Sequence, residues 1–147
     1  MVINVRQIEL GDKPSWQDLF FKYLEFYETS PSDVNMDLVW DRLTSTVPEI
    51  QGLVAESNGA VVGIVHFHYQ LSTWTDTFDC YLEDLYVAEK ARGNGVAKAL
   101  IQAVKELSTE RKCSKLFWIT KESNTTARKL YDKVATLSDF VRYEVEL

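Results

Sequence analysis

A chain of 147 residues, 46% hydrophobic and 26% charged, is long enough to bury a substantial core and too apolar to remain disordered, so a single domain spanning residues 1–147 is expected. Sixteen basic residues against 22 acidic ones leave a formal net charge of -6, which argues against a nucleic-acid partner and favours cationic small molecules. The first residues lack a basic stretch followed by an apolar one, and no apolar run approaches the roughly 18 residues of a membrane span, so a cytoplasmic protein with no membrane partner is expected.

Residues 2–8 alternate β-branched and polar side chains and predict a first strand. Asp12 is placed to cap a helix in which Trp16, Leu19, Phe20, Tyr23, Leu24 and Tyr27 recur every three or four residues, marking one buried face. Thr29-Ser30-Pro31-Ser32 ends it, and a second helix is predicted over 36–45. Residues 53–56 and 60–69 read as a hairpin, because Asn58-Gly59 supplies the positive φ values of a type I′ turn. A loop containing Trp74 leads to a strand over 78–87, a glycine-rich turn and a helix reaching about residue 111. The nearly continuous apolar run 115–120 predicts a strand buried on both faces, completing a parallel βαβ unit. Ser123 is placed to cap a helix over 125–134, and residues 140–145 predict a closing strand.

The turn itself, Arg92-Gly93-Asn94-Gly95-Val96-Ala97, carries the first functional signal. A glycine-rich strand-to-helix junction leaves backbone N–H groups unpaired at the positive end of a helix dipole, which suits a pyrophosphate, and Arg92 adds a fixed charge. An ordinary capping turn is the plainer alternative. Cys80 and Cys113, the two cysteines, have no metal-ligand spacing, so neither a disulfide nor a metal site is indicated. His66 and His68 share one strand face without further ligands, so they are expected to line an acceptor site or to be satisfied structurally.

Glu83-Asp84-Leu85-Tyr86-Val87 before the turn, the Arg92, Gly95, Ala97 spacing within it, and Asn124-x-x-Ala127-Arg128-x-Leu130-Tyr131 after it together resemble the GNAT superfamily of N-acetyltransferases. Within that superfamily the strand looks closest to diamine and polyamine acetyltransferases and to the fungal histone/polyamine group. The ending Ala135-Thr136 departs from the commoner glycine-aromatic pair. The resemblance implies an α/β fold: a mostly antiparallel mixed sheet with one parallel βαβ unit and flanking helices. It implies acetyl-CoA as co-substrate, held by Leu85, Tyr86, Val87, Arg92, Gly93, Asn94, Gly95, Val96, Ala97 and Asn124, and it favours a homodimer.

Amine acylation needs a proton acceptor, because an alkylammonium with a pKa near ~10 is mostly protonated at neutral pH. Glu83 is the candidate general base, directly or through water; Asp84 is ranked below it because strand alternation points it to the opposite face. A Glu83 that only binds the substrate cation is the alternative. Tyr131 is the candidate general acid toward the departing thiolate, with core packing as its alternative. Direct attack in a ternary complex is preferred to an acetyl-cysteine route, since Cys80 has no base partner. Edge amides near Leu85 would meet the acetyl oxygen if the strand carries a bulge or splay. Glu25, Glu28 and Asp33 are placed either to bind a second ammonium or to form a solvated helix end. The expected activity is acetylation of a small cationic amine of polyamine or diamine type. Acetylation of a protein lysine or N-terminus, and a non-catalytic CoA sensor, are the other readings.

Overall fold

The protein is described here by a computed structural model covering residues 1–147. Its elements are β1 (Asn4–Gln7), α1 (Lys13–Phe26), α2 (Met36–Thr44), β2 (Gln51–Ser57), β3 (Ala60–Leu71), β4 (Phe78–Val87), α3 (Val96–Glu110), β5 (Lys115–Phe117) and α4 (Thr125–Val134). The strands form one sheet in the order β1-β2-β3-β4-β5, with every neighbouring pair antiparallel except β4 and β5. This is the mixed α/β fold expected, with β4, α3 and β5 as its parallel unit.

Alternation along the strands divides the core in two. On one face, Val96, Leu100, Ile101 and Val104 of α3 pack on Leu53, Ala55, Val65, Phe67, Cys80, Leu82 and Val87. On the other, Trp16, Leu19, Phe20 and Leu24 of α1 and Trp40 and Leu43 of α2 cover Val54, Ile64 and Tyr86. Gly63 sets how closely α3 approaches: a Cβ there would lie 2.9 Å from Val96 Cγ1 and 3.1 Å from Leu100 Cδ1. Asn58 and Gly59 turn the β2–β3 hairpin with φ of 52° and 75°, as the type I′ reading requires.

Several local expectations are corrected. Residues 140–145 form no strand; Phe140, Val141, Tyr143 and Val145 stand exposed, and the sheet ends at β5. Without a neighbour on its outer side, β5 is a three-residue edge strand, half-buried rather than covered on both faces. Asp12 does precede α1, but its carboxylate takes two bonds from Arg6, at 2.8 and 3.0 Å, and one from the Glu9 N–H instead of capping. Asn124, not Ser123, holds the N-cap position of α4, and its side chain makes no capping bond.

The correction with most consequence lies in β4. His66 stands opposite Asp84 while the next residue, Phe67, stands opposite Leu82, so Glu83 is the extra residue of a β-bulge. The bulge turns Glu83 and Asp84 to the same side of the sheet, the α1 side, where strict alternation had separated them. Below it, Cys80 and Leu82 pack toward α3; above it, Leu85 and Val87 do.

Candidate active site

β4 and β5 pair only over Asp79, Cys80 and Tyr81, opposite Lys115, Leu116 and Phe117. Beyond Tyr81 the two strands part, and the edge of β4 that faced β5 has no ladder partner. A narrow cleft opens there, lined by Tyr23 of α1 and Tyr27 at its C-terminal cap, Leu82, Glu83 and Leu85 of β4, Trp118 and Ile119 after β5, and Tyr131 of α4. Seven of its eight lining residues are apolar or aromatic, so the Glu83 carboxylate is its one acidic group.

Two residues expected to do chemistry thus face one cleft from different elements. Glu83 remains 44% exposed, with His68 Nε2 3.7 Å from its Oε2. Tyr131 packs edge-on against Trp118 at 5.4 Å between centroids, and burial pushes its phenol up to about 12. Tyr23 of α1 and Tyr27, the residue that caps its C-terminus, pack with their rings tilted at 52° and centroids 4.9 Å apart, and close the opposite wall. The Tyr23 hydroxyl donates to the Glu83 carbonyl at 3.4 Å; burial first, then the Asp84 charge, raise its pKa well above the ordinary phenol value.

Behind the cleft lies a buried polar chain. The Trp16 indole N–H donates to His66 Nε2 at 2.8 Å, and His66 Nδ1 lies 2.9 Å from Asp84 Oδ2. An indole N–H is only ever a donor, so the Nε2 lone pair faces it and the ring proton sits on Nδ1, donated to Asp84. His66, 1% exposed, is therefore satisfied structurally rather than lining the cleft.

The glycine turn lies at the far end of β4. Gly93 and Gly95 have φ of 76° and 82°, a region that penalises any Cβ, and the space where a Cβ would point is open at both. Gly95 is the N-cap of α3 and offers no side chain, so the first amides of that helix lack a capping partner. Arg92 Nε donates to the Val87 carbonyl at 3.1 Å while its guanidinium lies 5.3 Å from the Tyr86 ring centroid. Asn94 turns inward, donating to the Ala91 and Arg92 carbonyls. Val96 is buried and Ala97 half-buried beneath the turn. Tyr86 and Val87 bury their side chains in the two cores, which leaves only their main chain toward the β4 edge. Asn124 donates to Thr120 Oγ1 at 3.1 Å.

Other expected groups are not assembled. Glu25, Glu28 and Asp33 are exposed and line no part of the cleft. Burial raises the Cys80 thiol to about 11, which makes it a poor nucleophile, and Cys113 lies beyond the end of α3. No helix is long and apolar enough to cross a membrane, and no three metal-binding side chains cluster. Sequence reasoning missed Tyr23, Tyr27 and Trp118 as walls, and the link between Trp16 and His66. A buried tryptophan needs an acceptor for its N–H, and that was the available signal.

The sequence model described as "Acetyltransferase (GNAT) family" matches residues 13–135. The chain is 31% identical over 144 residues to a D-amino-acid N-acetyltransferase of Saccharomyces cerevisiae, covering 97% of this chain and 89% of that protein. It is 35% identical over 86 residues to a thialysine N-epsilon-acetyltransferase of Bos taurus, covering 58% of this chain and 50% of the relative. Among solved structures, a ribosomal-protein-alanine N-acetyltransferase from Brucella melitensis superposes with a TM-score of 0.80 at 25% identity, over 99% of this chain and 100% of the other. The open β4 edge, the uncapped α3 terminus and these matches agree, and the chain belongs to the acetyltransferase (GNAT) family as an N-acetyltransferase.

Proposed function

We propose that the protein moves an acetyl group from acetyl-CoA to the primary amine of a small cationic acceptor, of polyamine or diamine type, by direct attack in a ternary complex. The observation that carries this reading is the meeting of Glu83 and Tyr131 across one cleft at the open β4 edge. Acetyl-CoA supplies the activated acyl group and a thiol leaving group. Its pyrophosphate suits the uncapped amides of Gly95, Val96 and Ala97, with Gly93 and Gly95 leaving room and Arg92 adding charge. Asn94 keeps the turn in shape through its two inward bonds. The main chain of Leu85, Tyr86 and Val87 offers edge groups to the pantetheine arm and an N–H to the acetyl oxygen, and Asn124 borders that arm at the start of α4.

Glu83 binds the acceptor ammonium and takes its proton, directly or through water. Tyr131, protonated at any working pH because burial holds it near about 12, gives its proton to the thiolate as it leaves. The relatives named for D-amino acids and thialysine support a small amine, and the aromatic walls around a lone carboxylate suit a cation. The name of the Brucella neighbour is the observation that favours a protein amine instead. A homodimer belongs to the same proposal: the alternating apolar residues Val141, Tyr143 and Val145 stand exposed, and the outer edge of β5 has no strand paired to it. A thiol-release assay with acetyl-CoA across diamines, polyamines, D-amino acids, aminoglycosides and basic peptides tests the activity. Turnover of small amines is expected. Peptide-only turnover would move the acceptor to protein, and tight acetyl-CoA binding with no release would leave a sensor.

A further inference from the structure

The apolar pattern of β4 leaves the position of its extra residue open. Cys80 and Leu82 face α3 below the bulge and Leu85 and Val87 face it above, so one residue between Leu82 and Leu85 has to be surplus. Either Glu83 or Asp84 meets that condition. With Glu83 surplus, Asp84 stands opposite His66, as observed. With Asp84 surplus, Glu83 would stand there instead, and the neighbouring pairs of Val65 with Leu85 and Phe67 with Leu82 would be unchanged. Burial of apolar side chains therefore does not choose which carboxylate reaches the cleft.

A buried hydrogen-bond chain does choose. The Trp16 indole N–H donates to His66 Nε2 at 2.8 Å, and His66 Nδ1 lies 2.9 Å from Asp84 Oδ2. Trp16 is fully buried and held by Phe20 and Trp40, so the imidazole keeps one donor, Nδ1–H, aimed in one direction. Leaving that N–H without an acceptor would cost its desolvation. Phe20 also closes the space at the ring, edge-on at 4.9 Å between centroids, and Asp84 reaches His66 there with a side chain only 17% exposed. Glu83, one methylene longer, is left 44% exposed on the cleft.

We propose that Trp16, His66 and Asp84 form a register pin: by holding Asp84 opposite His66, the chain makes Glu83 the surplus residue of the bulge and commits its carboxylate to the cleft. Asp84 is thus a positioning residue that transfers no proton. What it supplies is a hydrogen-bond acceptor, and the amide oxygen of an asparagine would serve the same imidazole N–H. Without an acceptor at position 84, His66 recruits the neighbouring Glu83, the surplus moves to residue 84, and the cleft loses its one acid. The consequence for activity rests on the reading of Glu83 as proton acceptor given above; the register does not.

The test joins two measurements on the wild-type protein and its variants. Nuclear Overhauser contacts of the His66 backbone in isotope-labelled protein read the residue opposite it, and kcat is measured with an amine that the thiol-release assay has shown to be a substrate. Asp84→Asn is expected to keep residue 84 opposite His66 and to retain most of the wild-type kcat. Asp84→Ala should bring Glu83 opposite His66 and lower kcat by roughly 10²-fold, the loss expected of Glu83→Gln itself. Adding Glu83→Gln to Asp84→Ala should then cost no further activity, because the carboxylate has already left the cleft. Asp84→Val, a stronger strand former without an acceptor, takes the place of Asp84→Ala if that variant does not fold. Three results overturn the proposal: Asp84→Asn losing activity as deeply as Asp84→Ala, residue 84 staying opposite His66 in Asp84→Ala or Asp84→Val, or additive losses in the double variant. Wild-type protein that releases no thiol with any amine, or Glu83→Gln at the wild-type rate, overturns the Glu83 reading instead, and the backbone contacts then decide the register alone.

Discussion

The two faces of the sheet are built from different chemistry. The α3 face is closed by Leu, Ile, Val and Ala with one phenylalanine, Phe67, and one cysteine. The α1 face is aromatic, with Trp16, Phe20 and Trp40 at its centre, and it encloses the His66–Asp84 pair next to an open cleft. One face supplies stability through apolar area removed from water. The other keeps buried polar groups in fixed orientation, which costs desolvation unless every group has a partner. The division teaches that stability and activity should respond to different substitutions in this molecule.

The largest expected effect tests the apolar side. Leu100 is fully buried between α3 and the sheet, near Gly63, so Leu100→Ala removes methyl groups and leaves a cavity. A loss of about 2–5 kcal/mol in unfolding free energy is expected from urea titration. Activity per folded molecule should stay near wild type at a temperature where the variant is folded. A comparable fall in kcat would show that the α3 face also shapes the cleft, and the division would fail.

At the cleft, where Tyr131 packs on the margin of the α3-face core, Tyr131→Phe keeps the ring against Trp118 and deletes only the hydroxyl. A fall in kcat of roughly 10²-fold or more is expected, with little change in thermal midpoint. An unchanged kcat would remove the acid role and leave Tyr131 as packing.

The same division explains what the sequence disclosed. α1 and α3 were legible because a buried helix face repeats every three to four residues, and the β2–β3 hairpin because Asn58-Gly59 has few other uses. The turn at residues 92–97 was legible because positive φ at Gly93 and Gly95 narrows the choice of residue. The bulge left a fainter mark. Cys80 and Leu82 occupy even positions, and Leu85 and Val87 odd ones, so the apolar phase of β4 slips across Glu83-Asp84. Reading that slip as a bulge would have put Asp84 beside His66. Residues 140–145 misled for the opposite reason: their alternation gives them the capacity to pair, and a strand also needs a partner, which this single chain does not provide. Asp12 was a sound cap by type, but Arg6 lies closer to its carboxylate than the helix amides do. Such competition comes from a residue on another element, here Arg6 of β1, and leaves no local pattern.

The smallest expected effect lies at alkaline pH, where both faces hold groups whose neutral form the fold prefers. Burial raises Cys80 to about 11 on the α3 face and Tyr131 to about 12 at the cleft. Unfolded, a thiol ionises near ~8.5 and a phenol near ~10. A folded pKa above the unfolded one means that the stabilising contribution is complete below the unfolded value and is lost as pH rises through the folded one. The unfolding midpoint in urea should therefore decline from about pH 8.5 to 11 with Cys80 as one contributor beside Cys113, and above about pH 10 with Tyr131 as one contributor beside Tyr23 and Tyr69. Cys80→Ala should make the first limb shallower, with a lower plateau from the lost packing, and leave the second. Tyr131→Phe should make only the second limb shallower, because Tyr23 and Tyr69, whose phenols burial also raises, still titrate there. Parallel curves for Tyr131→Phe and wild type between pH 10 and 12 would mean that the ring is open to solvent, and a cleft wetted to that depth could not keep the phenol as the proton donor.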